Sequence, residues 1–116
     1  MRYLFIINEP PYGNEKPYNA LRLAMTLQKE QKADVNVFLM GDSVVSAALG
    51  QKTPDGYYNM ERMVKSVILR KGHVYLCGTC MDARGMNETG IVKGAKRSTM
   101  SQLATLTSEA DKVLVF

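Results

Sequence analysis

The stretch RYLFIIN, residues 2–8, decides the fold class of this 116-residue chain. It is a short, continuous apolar run that ends in loop residues, which is typical of a parallel strand covered on both faces. Similar runs are DVNVFLMG at 34–41, HVYLCG at 73–78 and KVLVF at 112–116. We therefore predict a strand at each of these four places.

Helical periodicity fills the segments between the strands. Residues 17–32 carry an apolar stripe at helical spacing, and Pro17 suits the first turn of a helix. Ser43 is positioned to cap a short helix. A further helix is predicted from Asn59 to near Gly72, where the glycine is a good stop signal.

The C-terminal third is less regular until residues 99–110, which repeat apolar residues at helical spacing. Residues 79–98 are predicted to form a helical turn and then a loop with one short strand. Strands that alternate with helices pair in parallel through right-handed crossovers. The predicted fold is therefore a single α/β domain over residues 1–116, a three-layer α/β/α sandwich with a mainly parallel sheet of about five strands.

Composition and charge restrict the function classes. The chain is 46% hydrophobic and 22% charged, as in soluble globular proteins. Only five apolar residues run together before Asn8, too few for a signal-peptide core or a membrane span, so we predict a cytoplasmic protein without a membrane partner. The net charge of +4 is dispersed, with short basic clusters at 70–71 and at Lys93, Lys96 and Arg97, which does not favour nucleic-acid binding.

The stretch LCGTCMDARG, residues 76–85, holds both cysteines of the chain. In a reducing compartment a close cysteine pair is more often catalytic, redox-active or metal-binding than a structural disulfide. Arg84 is the nearest cation along the chain, and a guanidinium is a durable partner for a thiolate. We take Cys77, Cys80 and Arg84 as the candidate catalytic residues.

Loops at the carboxyl ends of parallel strands meet at one edge of the sheet, where ligands bind in such folds. Three predicted loops end there, and the third holds the cysteines. The other two contribute candidate ligand-binding residues, namely Glu9, Tyr12, Gly13 and Asn14 after the first strand and Asp42 after the second. A carboxylate close to a thiol would raise the pKa of that thiol, so Glu9 and Asp42 would oppose activation.

Several kinds of cysteine site stay open at this point. A thiol-disulfide oxidoreductase would use the Cys77-Cys80 pair, and a packing role would treat both as small apolar residues. A metal site is not predicted, because two cysteines and His73 give too few ligands for zinc. No cofactor is predicted either, since GIVKGAK at 90–96 lacks the spacing of a phosphate-binding loop.

Motifs along the whole chain resemble the DsrE/DsrF-like sulfur-relay family, most closely its YchN-like branch. They are EPPYGNE at 9–15, NALRLA at 19–24, VFLMGDSV at 37–44, GQKTPDGYYNM at 50–60, CGTCMDARG at 77–85 and SEADKVLVF at 108–116. The resemblance implies a flavodoxin-like sandwich, assembly as a homo-oligomer (trimer or hexamer), and sulfur-donor and sulfur-acceptor proteins as partners. It also implies a persulfide-carrying cysteine seven residues before an Arg-Gly pair, which here places the carrier at Cys77 and adds Gly85 to the site.

Two questions stay open within this interpretation. The resemblance favours Cys77 as the carrier, whereas reasoning from the residues favours Cys80 as the more exposed and better activated thiol. The chain could also be a non-catalytic oligomeric module that binds a small ligand in the same crevice. For the oligomer, we expect Tyr57, Tyr58 and Met60 to be exposed apolar residues at an interface.

Overall fold

All five strands lie in one parallel sheet in the computed structural model, which describes residues 1–116. Each neighbouring pair is parallel, and the strand order is β4-β3-β2-β1-β5. The strands are β1 (Arg2–Ile7), β2 (Asp34–Leu39), β3 (His73–Cys77), β4 (Lys96–Ser98) and β5 (Lys112–Val115). The predicted flavodoxin-like α/β class is confirmed, although flavodoxin itself has the strand order 2-1-3-4-5.

Four α-helices complete the three layers. They are α1 (Lys16–Gln31), α2 (Met60–Leu69), α3 (Gly78–Ala83) and α4 (Met100–Glu109). Helix α1 packs on β1 and β2, and α2 packs on β3 and against α1. The strands β1 to β4 follow one another in one direction across the sheet, and the chain then crosses back beyond β1 to form β5. Because crossovers are right-handed, this reversal places α4 on the face of the sheet opposite to α1 and α2. None of these helices has both the length and the apolar character needed to cross a membrane.

The segment after β2 differs from its prediction. It is a 3-10 helix over Gly41–Ala47, and Ser43 lies inside it rather than at its cap. The buried Ser43 hydroxyl donates to the backbone carbonyl of Ile7 at the end of β1. This bond ties the carboxyl ends of β1 and β2 together, close to the cysteine loop.

The surroundings of α2 bring a second correction. Met60 is fully buried and belongs to the core, and Tyr58 is half-buried between the rings of Tyr12 and Tyr18, so neither is the exposed interface residue expected from the sequence. Met60 is buried because it lies in the first turn of α2, on the apolar face of the helix that packs against the sheet. Tyr57 is exposed as expected.

Candidate functional site

A cleft opens at the carboxyl edge of the sheet between β3 and β4. The chain leaves β3 on the face that carries α2, and it leaves β4 toward α4 on the other face, so the two connections diverge. Such a divergence is the usual ligand-binding crevice of open parallel sheets. The cleft has a volume of about 200 Å³, and its lining includes Phe38, Cys77, Thr79, Arg97, Ser98 and Thr99.

Cys77 is the last residue of β3 and opens into this cleft while most of its side chain is buried. Its Sγ lies 3.2 Å from Oγ1 of Thr79. Burial raises the pKa of the Cys77 thiol, but hydrogen bonds from the Cys80 and Thr79 side chains and from the backbone N-H groups of both residues outweigh it. The pKa of Cys77 is therefore lowered, which favours the reactive thiolate.

Cys80 lies one turn later on α3 and is half-buried. Its Sγ accepts a hydrogen bond from the backbone N-H of Gly41 at 3.2 Å. Burial and the neighbouring Cys77 nevertheless raise the pKa of Cys80, because the Gly41 N-H and the charge of Arg84 do not offset them. Cys80 is the more exposed thiol, as expected, but the expectation that it is better activated is wrong.

Arg84 joins α3 to the segment after β2. Its Nε and Nη2 donate to Oδ1 of Asp42 at 3.0 and 2.7 Å, and its Nη1 donates to the carbonyl oxygen of Cys80 at 3.0 Å. The guanidinium thus acts on Cys80 through its charge, with Asp42 as its ion partner. The structure brings these three predicted site residues together, although Arg84 makes no direct bond to either sulfur.

Arg97 is the residue at this edge that sequence reasoning missed. Its Nη1 and Nη2 donate to the two carboxylate oxygens of Asp82, each at 2.8 Å. The guanidinium lies directly over Gly78, where an added Cβ would be 3.0 Å from Cζ. The only sequence signal for Arg97 was the short basic cluster that it forms with Lys93 and Lys96. The strand β4 has three residues, which is too short for a pattern that would place Arg97 beside Cys77.

The predicted residues of the first loop lie elsewhere. The Tyr12 hydroxyl donates a hydrogen bond to Oε1 of Gln51 and accepts one from the backbone N-H of Met60. Tyr12 therefore stabilises the loop before α2. Oδ1 of Asn14 accepts from the N-H of Lys16 at the start of α1, and the Glu9 side chain has no hydrogen-bond partner. None of these three side chains hydrogen-bonds to a cysteine.

The two predicted glycines both take a left-handed backbone conformation in turns. Gly13 has a φ of 82° and Gly85 a φ of 64°. Gly85 ends α3, where its N-H donates to the carbonyl of Asp82 at 3.2 Å. Its role is therefore to let the chain turn away directly after Arg84.

The two thiols stand as a free pair. Both cysteines are reduced, and no three His, Cys, Asp or Glu side chains converge closely enough to hold a metal ion. One thiol with a lowered pKa sits beside one with a raised pKa. This arrangement suits two-step thiol chemistry. The thiolate with the lowered pKa attacks a substrate sulfur, and the neighbouring thiol then attacks the S-S bond that forms.

The fold and the site together define a small α/β protein with a cysteine pair at the carboxyl edge of a parallel sheet. A sequence model described as the DsrE/DsrF-like family matches residues 1–116. The chain belongs to the DsrE/DsrF-like family.

Individual relatives agree with this assignment. The chain is 38% identical to protein YchN of Escherichia coli K12, over 99% of this chain and 98% of that protein. It is 37% identical to the uncharacterized protein MJ0989 of Methanocaldococcus jannaschii over the full length of both. The crystal structure of the Escherichia coli ychN protein superimposes with a TM-score of 0.91, at 39% identity and full coverage of both chains.

Proposed function

We propose that this chain accepts sulfur as a persulfide on Cys77 and passes it to a second protein. The observation that carries the proposal is the Cys77 thiol, whose pKa is lowered by hydrogen bonds and which opens into a cleft at the strand ends. The chain also belongs to the DsrE/DsrF-like family, the family whose resemblance implied a persulfide-carrying cysteine at this position. Partners are then a persulfide-bearing donor and a thiol-bearing acceptor.

The transfer step balances without an external oxidant. The Cys77 thiolate attacks the outer sulfur of a donor persulfide, the donor S-S bond breaks, and the donor leaves as a thiolate. A new S-S bond then joins Cys77 to the transferred sulfur, which releases its proton to solvent and carries a negative charge. The thiolate of an acceptor then attacks the terminal sulfur, a new S-S bond forms on the acceptor, the Cys77 S-S bond breaks, and Cys77 leaves as a thiolate.

Cys80 adds a discharge route. Its thiolate can attack the Cys77 sulfur of the persulfide, which releases hydrosulfide and forms a Cys77-Cys80 disulfide. The raised pKa of Cys80 keeps this thiol protonated at neutral pH and slows the attack, so the persulfide survives long enough to meet an acceptor. Cys80 is therefore proposed as a resolving thiol.

Intact-protein mass spectrometry after incubation with a persulfide donor tests the function. We expect a gain of about 32 Da, the mass of one sulfur atom, on the native chain and on Cys80→Ser. The gain should be absent from Cys77→Ser. An adduct that persists in Cys77→Ser and vanishes in Cys80→Ser would contradict the assignment of the carrier.

The same measurement addresses the thiol-disulfide oxidoreductase, which the pairing of a lowered with a raised pKa also favours. In that case Cys77 attacks a substrate disulfide, and Cys80 then displaces the mixed disulfide to give a Cys77-Cys80 bond. The native chain would become about 2 Da lighter, and Cys80→Ser, in which the discharge route to the same disulfide is closed, would take up no sulfur. If neither mass change occurs, the cleft is a ligand-binding site without sulfur chemistry.

A further inference from the structure

Arg97 has more hydrogen-bonding capacity than its ion pair uses. A guanidinium carries five N-H donors, and Asp82 takes one from each terminal nitrogen, so three donors are left. Asp82 also fixes the plane of the group, since a two-point pair holds an arginine in one orientation. Arg97 is thus an immobilised cation with free donors at the edge of the cleft.

The backbone beside Cys77 is shaped to admit this cation. Gly78 directly follows Cys77, and its missing Cβ leaves room for Cζ and Nε of Arg97, each 3.0 Å from where that atom would stand. Gly78 has no left-handed φ that would demand glycine. Close approach of the guanidinium is therefore the structural reason for glycine at this position.

The cation and the sulfur share one site. Cys77 and Arg97 line the same cleft, and a negative charge on Cys77 stabilises the charged form of Arg97. A persulfide would extend the Cys77 side chain into the cleft by one further sulfur atom and place a full negative charge at its end. A fixed arginine with free donors is the kind of group that binds such an anion.

We propose that Arg97 binds the terminal sulfur anion of a Cys77 persulfide, which makes the cleft selective for anionic sulfane sulfur. Asp82 is the positioning residue that holds Arg97 over Gly78. The inference rests on the proposed function, because it requires that Cys77 take up sulfur. It assigns to Arg97 the role that the sequence suggested for Arg84.

The test is the equilibrium fraction of sulfur adduct on Cys77, measured by intact mass at a fixed ratio of donor persulfide to free thiol. All proteins carry Cys80→Ser so that the disulfide cannot form. We expect Arg97→Gln to lower the ratio of adduct to free protein by about threefold to tenfold, because one charge-assisted hydrogen bond is lost at a partly exposed site. Arg97→Lys should recover part of the loss, since it keeps the charge but not the planar fork.

Two controls separate binding from other effects of the substitution. Arg70→Gln makes the same chemical change between α2 and β3, at the opposite edge of the sheet, and should leave the ratio unchanged. Arg97→Gln also leaves the Asp82 carboxylate without its partner near Cys77. The double variant Arg97→Gln with Asp82→Asn removes that charge, and the loss of adduct should persist in it.

The pH dependence of Cys77 alkylation, measured without a donor, adds a readout that a purely structural role would not move. The titratable or charged groups that interact with Cys77 are Cys80 on α3 and Arg97 on β4, and Arg97 is itself influenced by Asp82 on α3 and by Glu88 between α3 and β4. Arg97→Gln should move the profile to higher pH, and the Arg97→Lys profile should stay close to that of the native chain.

Equal adduct ratios for Arg97→Gln and Arg70→Gln would overturn the role of Arg97 and leave the function standing. A native chain that takes up no sulfur would overturn both.

Discussion

The two cysteines show that exposure and acidity are separate properties of a thiol. Cys80 is the more exposed of the two, yet its pKa is raised, whereas the buried Cys77 has a lowered pKa. The difference arises because hydrogen bonding from Thr79 and Cys80 outweighs the burial of Cys77, while burial and Cys77 itself raise the pKa of Cys80. Hydrogen bonding to the charged form decides which sulfur is the nucleophile.

Alkylation by a small reagent such as iodoacetamide should therefore reach Cys77 first. Because the pKa of Cys77 lies below the ordinary thiol value and that of Cys80 above it, Cys77 forms thiolate at the lower pH as pH rises. The ratio of the two rates should be largest near neutral pH and shrink in alkaline solution, where both are thiolates. Peptide mass spectrometry after timed labelling measures it, and faster labelling of Cys80 at neutral pH would contradict the assignment.

Thr79→Val tests one of the bonds that activate Cys77. The substitution keeps the shape of the side chain and removes the hydroxyl that lies 3.2 Å from the sulfur. The pKa of Cys77 should rise, and alkylation near neutral pH should slow by about tenfold, because a hydrogen bond to a charged group contributes about 1.5 kcal/mol or more. Thr105→Val on α4 is the matched control, since its hydroxyl bonds only within its own helix. Equal rates in the two variants would show that Thr79 does not activate the thiol.

At the scale of elements, the junction of α1, α2 and β3 is built around Gly72. A Cβ there would lie 2.6 Å from Nε2 of Gln28 and 2.7 Å from a methyl carbon of Val67. The left-handed residue that ends α2 is Lys71, so Gly72 is glycine because of packing and not because of φ. Because Gly72 has no side chain, Gln28 of α1 can approach α2, and its side-chain amide donates to the carbonyl of Val67 at 3.0 Å.

Gly72→Ala should consequently lower the free energy of unfolding by about 1–3 kcal/mol, the usual cost of overpacking. Urea unfolding followed by circular dichroism measures it. Gly90→Ala is the control, because a Cβ at Gly90 meets only the Asn87 side chain at 3.8 Å. A Gly72→Ala protein as stable as the Gly90→Ala protein would rule out the packing explanation.

Asn59 fixes the start of α2 and the loop that precedes it. Its Oδ1 accepts from the N-H of Arg62 at 3.1 Å, and its Nδ2 donates to the carbonyl of Gln51 at 3.0 Å. Asn59→Ala should lower the free energy of unfolding by about 1–2 kcal/mol, because a helix cap is lost at a buried position. Asn59→Asp keeps the cap acceptor and should lose less in the same urea titration. An Asp variant no more stable than Ala would show that the cap bond contributes little.

At the scale of the molecule, apolar runs and helical spacing predicted β1, β2, β3 and β5 and the helices α1, α2 and α4, because each of these elements repeats a local pattern. Residues 79–98 carry no such pattern, and only a helical turn and a loop with one short strand were predicted there. Even the three-residue β4 fell within the segment predicted to hold a short strand. The site was harder to predict. Arg84 and Asp42 could be selected from their positions after β3 and β2, but the closeness of Arg97 to Cys77 comes from β3-β4 pairing across the connecting loop, which no local pattern encodes.

The predicted homo-oligomer remains a prediction about the whole molecule. Several large apolar side chains are exposed on the single chain, with Leu69 83% and Tyr57 70% exposed, and Met100 and Val115 nearly as much. Such residues are more stable at an interface than in water. Size-exclusion chromatography with light scattering should give three or six times the 12.9 kDa of the chain, and a mass of 12.9 kDa would refute the oligomer.

The central proposal is that the transferred sulfur is bound to Cys77, and it can be tested on the native chain without any substitution. After incubation with a persulfide donor and blocking with an alkylating reagent, trypsin cleavage after Lys71 and Arg84 releases one peptide, residues 72–84, that holds both cysteines. Fragment ions assign the extra mass of about 32 Da to one of them. We predict that the extra sulfur lies on Cys77 and that Cys80 carries only the alkyl group. Extra sulfur on Cys80 alone, or on neither cysteine, would contradict it.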